Sequence, residues 1–202
     1  MDFQALAYPA AMWVTVTSLG ILLSFRWRWC IAILALQYLG IFILTASAWP
    51  IEMAAVKLVA GWLSCAVLAM AISESMSTEQ SGWRPTERSW PSSRIFRLLS
   101  ATLVLLSVQS LSSRIPAWIP GLDLAHAWSG LILIGMGLIQ LGLTAQPSRV
   151  VIGLLTLLSG FEILYATVET SALLAGLLAA VNMSIALIGA YLIASPAMEG
   201  PE

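Results

Sequence analysis

The sequence predicts an all-α integral membrane protein with about seven transmembrane helices. Of its 202 residues, 59% are hydrophobic and only 9% are charged, and the mean hydropathy is +0.91. A soluble globular domain carries roughly 25% charged residues, so this chain has too few charges to cover a surface that faces water. Its apolar residues also come in runs long enough to cross a bilayer, which takes about 20 residues per helix.

Seven apolar runs are the candidate membrane spans. The fourth is the weakest of them, because it is short and ends in the polar stretch SVQSLSS. A six-helix alternative would place that segment at the membrane interface. The seven spans are residues 5–25, 29–47, 51–73, 95–111, 124–144, 150–167 and 171–194.

The basic residues indicate the orientation, because Lys and Arg concentrate in cytoplasmic loops. With seven spans, seven arginines fall on one side of the membrane and only Arg114 falls on the other. This sidedness favours seven helices over six, and it predicts that the N-terminus lies outside and the C-terminus in the cytoplasm. The seven are Arg26, Arg28, Arg84, Arg88, Arg94, Arg97 and Arg149.

The predicted spans divide the chain into five segments. An N-terminal three-helix membrane segment (1–73) is followed by a cytoplasmic polar loop (74–94) and by the fourth helix with an outer loop (95–123). A Gly- and Ala-rich three-helix module (124–194) and a short tail (195–202) complete the chain. Gly and other small residues let membrane helices pack closely.

The polar loop mixes both charge signs with Ser, Pro and Trp. Two interpretations stay open: it is a flexible linker between two halves, or it is a docking surface for a partner subunit. In the second, Trp83 and Trp90 are the anchors, because aromatic side chains are enriched in interface cores. Arg84 and Arg88 would add charge to the same docking surface.

Two polar residues, Glu162 and Asn182, lie inside the sixth and seventh predicted helices. A charged carboxylate left unpaired in the bilayer costs several kcal/mol, so Glu162, expected near the bilayer centre, must be paired, hydrated or protonated. It is either a proton-carrying group or a permanently protonated residue that bonds to a neighbouring helix. A short hairpin would place Asn182 at a matching height, where its amide would orient the carboxyl group or water, or simply join two helices.

Two further charged residues complete the predicted ion or proton path. Lys57 lies about two turns into the third helix. Its stem could reach the interface, or its ammonium could be buried and pair with an acid of this chain or of a partner. Glu169 comes seven residues after Glu162, on nearly the same helix face. It is either solvated at the helix end or an exit residue of the path.

No metal site and no cofactor are expected. Cys30 and Cys65 lie in apolar runs, without the spacing of a metal site, and we expect both to be small buried side chains. His126, the only histidine, cannot form a histidine pair for haem, and we expect it beside Asp123 at the surface. The net charge of −1 gives no indication of a nucleic-acid partner.

Two motifs resemble the three-helix K-type subunit of complex I and the C subunit of Mrp antiporters. That family has an apolar helix with Gly–Leu–Glu–Ile and then a helix with Ala–Ala–Glu–Ala–Ser–Ile. Residues 160–163 (GFEI) match the first motif, and residues 179–185 (AAVNMSI) match the second. Arg149 takes the position of the basic loop residue, and Asn182 stands where the family has its second acid.

The length and the seven-helix layout resemble component E of the hydrogenase 4 and formate hydrogenlyase membrane arms. That component is a K-like module extended by N-terminal helices, and it too carries a lysine in an apolar run, as residues 54–59 (AAVKLV) do. The resemblance implies a non-catalytic, multi-pass subunit of an energy-converting complex in the inner membrane of a prokaryote. Its partners would be antiporter-like membrane subunits and a redox module.

Three functions stay open from the sequence. In the first, the chain contributes Glu162 to proton or sodium translocation by such a complex. In the second, it is an architectural subunit whose path is broken at Asn182. In the third, it is a stand-alone transporter of a small solute, which the few polar residues and the lack of an inverted repeat disfavour.

Overall fold

The computed structural model describes residues 3–24, 26–79, 94–112, 114 and 122–198. These residues form helices and short connections, and seven of the helices are long and apolar enough to cross a membrane. The predicted all-α fold with seven spans is therefore confirmed, and the chain is a multi-pass membrane protein. The helices are α1 (Phe3–Leu23), α2 (Trp27–Ala48), α3 (Ile51–Glu79), α4 (Arg94–Ser112), α5 (Leu124–Leu143), α6 (Pro147–Ala166) and α7 (Ala172–Met198).

The helix ends follow local chemistry. Pro50 separates α2 from α3, Pro147 occupies the first turn of α6, and the Asp123 carboxylate accepts the backbone N–H of Leu124 at 2.8 Å where α5 begins. Proline suits a first helical turn because its missing N–H would have no partner there. The end of α3 differs from the prediction: the helix runs to Glu79 rather than 73, because no Gly or Pro interrupts it there.

The bundle has two ends. We call the end that holds the start of α1, the α2–α3 turn and the α6–α7 turn the N-terminal face, and the opposite end the C-terminal face. Arg97 donates to the carbonyl of Leu22 at 3.1 Å, and Arg149 donates to that of Ser24 at 3.1 Å, so both arginines lie at the C-terminal face. The assignment of that face to the cytoplasm stays a prediction.

Glycines bring α5 and α6 together as a closely packed pair. A Cβ atom on Gly160 would stand 2.6 Å from the carbonyl oxygen of Gly130, and one on Gly137 would stand 2.9 Å from that of Gly153. Gly153 also faces Leu141 of α5. Gly153 and Gly160 are seven residues apart and are both turned to α5, so they belong to one packing face of α6.

The remaining contacts hold the first three helices together and join them to α5, α6 and α7. Helix α3 packs along α7, α1 packs along α2 and α5, and α2 also contacts α3 and α6. Helix α4 lies at the edge, against α5 and α1. As a result α2, α3, α6 and α7 surround one interior region, and two buried charged residues, Lys57 of α3 and Glu162 of α6, meet there.

Candidate functional site

A hydrogen bond between two turns positions the site. The indole Nε1–H of Trp49, in the α2–α3 turn, donates to the carbonyl oxygen of Glu169, in the α6–α7 turn, at 2.8 Å. Trp49 also packs with Ala166 and Ala175 in a small buried apolar cluster. These contacts hold the start of α3 beside the end of α6, so residues one or two turns inside each helix can meet.

At that level the Lys57 ammonium of α3 forms an ion pair with the Glu162 carboxylate of α6, through Nζ and Oε2. Lys57 is 5% exposed and Glu162 is 1% exposed. The sequence left open whether Lys57 reaches the interface or pairs with an acid of this chain or of a partner. In the structure its ammonium is buried and its acid is Glu162.

The ion pair lies near the N-terminal face of the bundle. Glu162 is four residues from the end of α6, and Lys57 is six residues from the start of α3. At a rise of about 1.5 Å per residue, these positions are about 6 Å and 9 Å from the helix ends. The predicted span 150–167 already placed Glu162 five residues from its end, and the expectation that Glu162 lies near the bilayer centre stays a prediction.

Asn182 of α7 is the second partner of the carboxylate. It is fully buried, and its Nδ2 donates to Glu162 Oε1 at 3.5 Å. The hairpin of α6 and α7 thus brings the two residues together, as expected. Each carboxylate oxygen has its own partner: Oε2 contacts a cation and Oε1 accepts from an amide.

Tyr38 of α2 is part of the site, and the sequence analysis did not identify it. Its ring is fully buried, and the Lys57 ammonium lies 5.4 Å from the ring centroid. Gly61, one turn after Lys57, lies directly against this ring, so that a Cβ atom there would collide with it. In the sequence, the only feature that could have pointed to Tyr38 was its position next to Gln37 in an apolar helix.

Buried polar atoms continue around the ion pair. The Tyr38 hydroxyl lies beside the hydroxyl of Ser159, one turn before Glu162 on α6. Neither hydroxyl has a well-formed hydrogen bond within the described part of the chain, and the same is true of both amide atoms of Gln37. Buried polar groups in such positions are typically satisfied by internal water.

Glu169 and the predicted docking residues do not join this cluster. Glu169 is exposed in the α6–α7 turn, as in the solvated alternative, and its contribution to the site is the backbone carbonyl that binds Trp49. The docking residues of the polar loop lie outside the described residues, and their role stays a prediction. They are Trp83, Arg84, Trp90 and Arg88.

The surface location expected for His126 was wrong, although Asp123 is exposed. Only 6% of His126 is exposed, because α5 begins alongside the end of α2. Its Nε2 lies 3.0 Å from the Leu44 carbonyl oxygen and 2.9 Å from the Ser47 hydroxyl. Both oxygens belong to α2 and lie within hydrogen-bond distance of Nε2, so the imidazole joins α5 to α2.

Comparison with known proteins adds no identification. No protein-family model matches the chain, and no curated protein and no solved structure matches it. A functional assignment therefore rests on the buried ion pair and its surroundings.

Proposed function

We propose that this protein is a membrane subunit that uses the Lys57–Glu162 pair to translocate protons within a larger energy-converting complex. The observation that carries the proposal is an ion pair enclosed inside a membrane-spanning bundle, with both side chains almost completely buried. Ionisable residues inside membrane segments are rare, and they mark ion and proton routes. The motifs around Glu162 and Asn182, which resemble the K-type subunit, point to the same role.

The energetics favour function over stability as the reason for the ion pair. A charged side chain inside a membrane helix costs about 2.5–3.5 kcal/mol or more. Replacing a buried ion pair by apolar residues of similar volume is often neutral or even stabilising. The fold of α3 and α6 therefore does not need Lys57 and Glu162, whereas a group that exchanges protons does need a carboxyl at this place.

Lys57 and Asn182 would allow Glu162 to bind and release a proton reversibly. A proton that binds Glu162 at Oε2 neutralises the carboxylate and releases the Lys57 ammonium from the ion pair. The Asn182 amide keeps its contact to Oε1 and so holds the carboxyl group in place. When the proton leaves, the carboxylate and the ammonium pair again, and both residues return to their initial state.

A path across the whole bilayer needs more groups than this site offers. The pair lies about 6 to 9 Å from the helix ends at the N-terminal face, and the cluster adds neutral groups only: Asn182, Tyr38, Ser159 and Gln37. Further stations would come from antiporter-like membrane subunits, with a redox module supplying the energy. The proposed location is the inner membrane of a prokaryote, with the C-terminus in the cytoplasm.

An architectural subunit is the second candidate. The observation that favours it is that Glu162 has both of its partners, Lys57 and Asn182, within this one chain. A carboxylate so satisfied can hold α3, α6 and α7 together without exchanging protons. The two candidates differ in what they predict for a neutral residue at position 162.

The test is E162Q, with E169Q as the matched control, because Glu169 is an exposed carboxylate seven residues away. The intact complex is first purified through a C-terminal tag, and its partner chains are identified by mass spectrometry. Proton transport coupled to the redox reaction is then measured in membrane vesicles at equal complex content. The proposal predicts that E162Q loses coupled transport and that E169Q keeps it.

Each other outcome supports a different function. Normal coupled transport by E162Q, with the complex intact, would support the architectural role and refute proton exchange at Glu162. Purification of the chain alone, without antiporter-like partners, would refute the complex. A stand-alone transporter would then be tested with the purified chain in proteoliposomes.

A further inference from the structure

The Lys57 ammonium has two neighbours rather than one. On one side it contacts the Glu162 carboxylate, and on the other it lies 5.4 Å from the centroid of the Tyr38 ring. A cation within about 6 Å of an aromatic centroid is attracted by the electron-rich face of the ring, and the attraction is greater where water is excluded. Tyr38 is fully buried, so its ring meets that condition.

The backbone at Gly61 is what brings the ring to this place. Lys57 and Gly61 are four residues apart on α3 and therefore share a helix face. The Tyr38 ring occupies the space that a side chain at position 61 would fill. One turn of α3 thus carries Lys57 and also contacts the Tyr38 ring at Gly61. This contact fixes the position of the ring relative to the lysine side chain.

The other groups around the ammonium offer it no second negative charge. The titratable groups near Tyr38 are Lys57 and Cys65 on α3 and Glu162 on α6, and α7 contributes the neutral Asn182. When Glu162 is neutral, the oxygens of its protonated carboxyl group can still accept from the ammonium, and among the described residues the Tyr38 ring is the aromatic face that lies within cation–π distance of it. Without the ring, protonation of Glu162 would leave the buried cation with neutral hydrogen-bond acceptors alone, which is a costly state.

We propose that Tyr38 is a positioning residue whose ring holds the Lys57 ammonium while Glu162 carries a proton. The ammonium then contacts the carboxylate in one state of the cycle and the ring in the other, and it keeps its own proton in both. This inference rests on the proposed function, because it assumes that Glu162 changes its protonation state. Its prediction for stability, however, can be tested without any transport assay.

E162Q reproduces the neutral state permanently and provides that test. Thermal unfolding in detergent is measured for E162Q, for Y38F and Y38L, and for each double variant. Phe keeps the ring and loses only the hydroxyl, whereas Leu loses the ring. We expect Y38F and E162Q to lower Tm additively, and Y38L with E162Q to lower it by more than the sum of the single changes.

A third substitution separates the lost cation contact from simple loss of packing. K57M removes the ammonium, so adding it to Y38L/E162Q should restore much of the Tm, whether or not the double variant folds well by itself. Y38M, which fills more of the space of the ring than Leu, should behave as Y38L does. Additive effects of Y38L and E162Q, or no recovery with K57M, would overturn the proposal.

Transport adds a readout that a merely structural role of Tyr38 would not move. In the intact complex, Y38L should slow coupled proton transport severely, and the ring of Y38F should rescue most of the rate. If Y38F is as defective as Y38L, the hydroxyl rather than the ring is required, and the proposal is wrong. Normal transport by E162Q would instead refute the proposed function, while the Tm result for the ring would stand.

Discussion

Replacing Lys57 by Met tests the energetics of the ion pair most simply. Met has nearly the length of the lysine stem and no charge, so it can fill the same space between α3 and α6. The change leaves the Glu162 carboxylate buried, with Asn182 at 3.5 Å as its remaining partner. Removing one partner of a buried ion pair costs about 3–5 kcal/mol, and the low exposure of both residues places this pair in that class.

The stability of the double variant K57M/E162Q is compared with that of K57M. The double variant removes both charges and keeps an amide next to Asn182, so we expect it to regain most of the stability that K57M loses. The coupling free energy between the two sites should then be about 3 kcal/mol or more. Reversible denaturant unfolding in mixed micelles measures it, and E169Q, which changes an exposed acid, should leave the unfolding midpoint unchanged.

The loss of stability in K57M should depend on pH and should be smaller in acid than in alkali. In K57M the penalty comes from an ionised carboxylate without a cation, so acidification should reduce it by protonating Glu162. Alkaline conditions should keep the full penalty. If K57M and E162Q are instead additive in the double variant, or if the K57M penalty does not change with pH, Lys57 and Glu162 are not coupled energetically as the buried ion pair in the structure requires.

Two further predictions concern the parts of the fold that position the site. G160A should destabilise the bundle by about 1–3 kcal/mol, because its Cβ would stand 2.6 Å from the Gly130 carbonyl oxygen. G142A is the control and should not destabilise it, because position 142 has open space. Equal unfolding midpoints of the two variants would contradict close α5–α6 packing. W49F should lower the free energy of unfolding by about 1 kcal/mol, because it removes the hydrogen bond to the Glu169 carbonyl oxygen. An unchanged unfolding midpoint would show that this bond does not hold the two turns together.

The sequence predicted the helices well, because long apolar runs and their polar breaks determine where a chain can cross a membrane. The positions of α2, α5 and α6 differ from the predicted spans by only a few residues. Helix α3 continues past residue 73 to Glu79, since the end of an apolar run marks a membrane boundary rather than the end of a helix.

The sequence could not predict which helices face each other. All seven helices are apolar on most of their surface, so hydrophobic periodicity gives little information on their rotation. For this reason the partner of Lys57 stayed open and Tyr38 was missed. His126 was expected at the surface because it is near a helix end, yet α2 covers it. The partner of Lys57, the place of Tyr38 in the site and the burial of His126 all depend on contacts between segments that are distant in the sequence.

The central claim is that Glu162 exchanges protons, and infrared spectroscopy of the purified protein tests it most directly. The difference between wild type and E162Q isolates the carboxyl signal of this one residue, and transfer to D₂O shifts the band if its proton is exchangeable. The account predicts that the protonated carboxyl band appears and disappears reversibly with pH and shifts in D₂O. A signal from Glu162 that does not change with pH in the folded protein, and does not shift in D₂O, would contradict it.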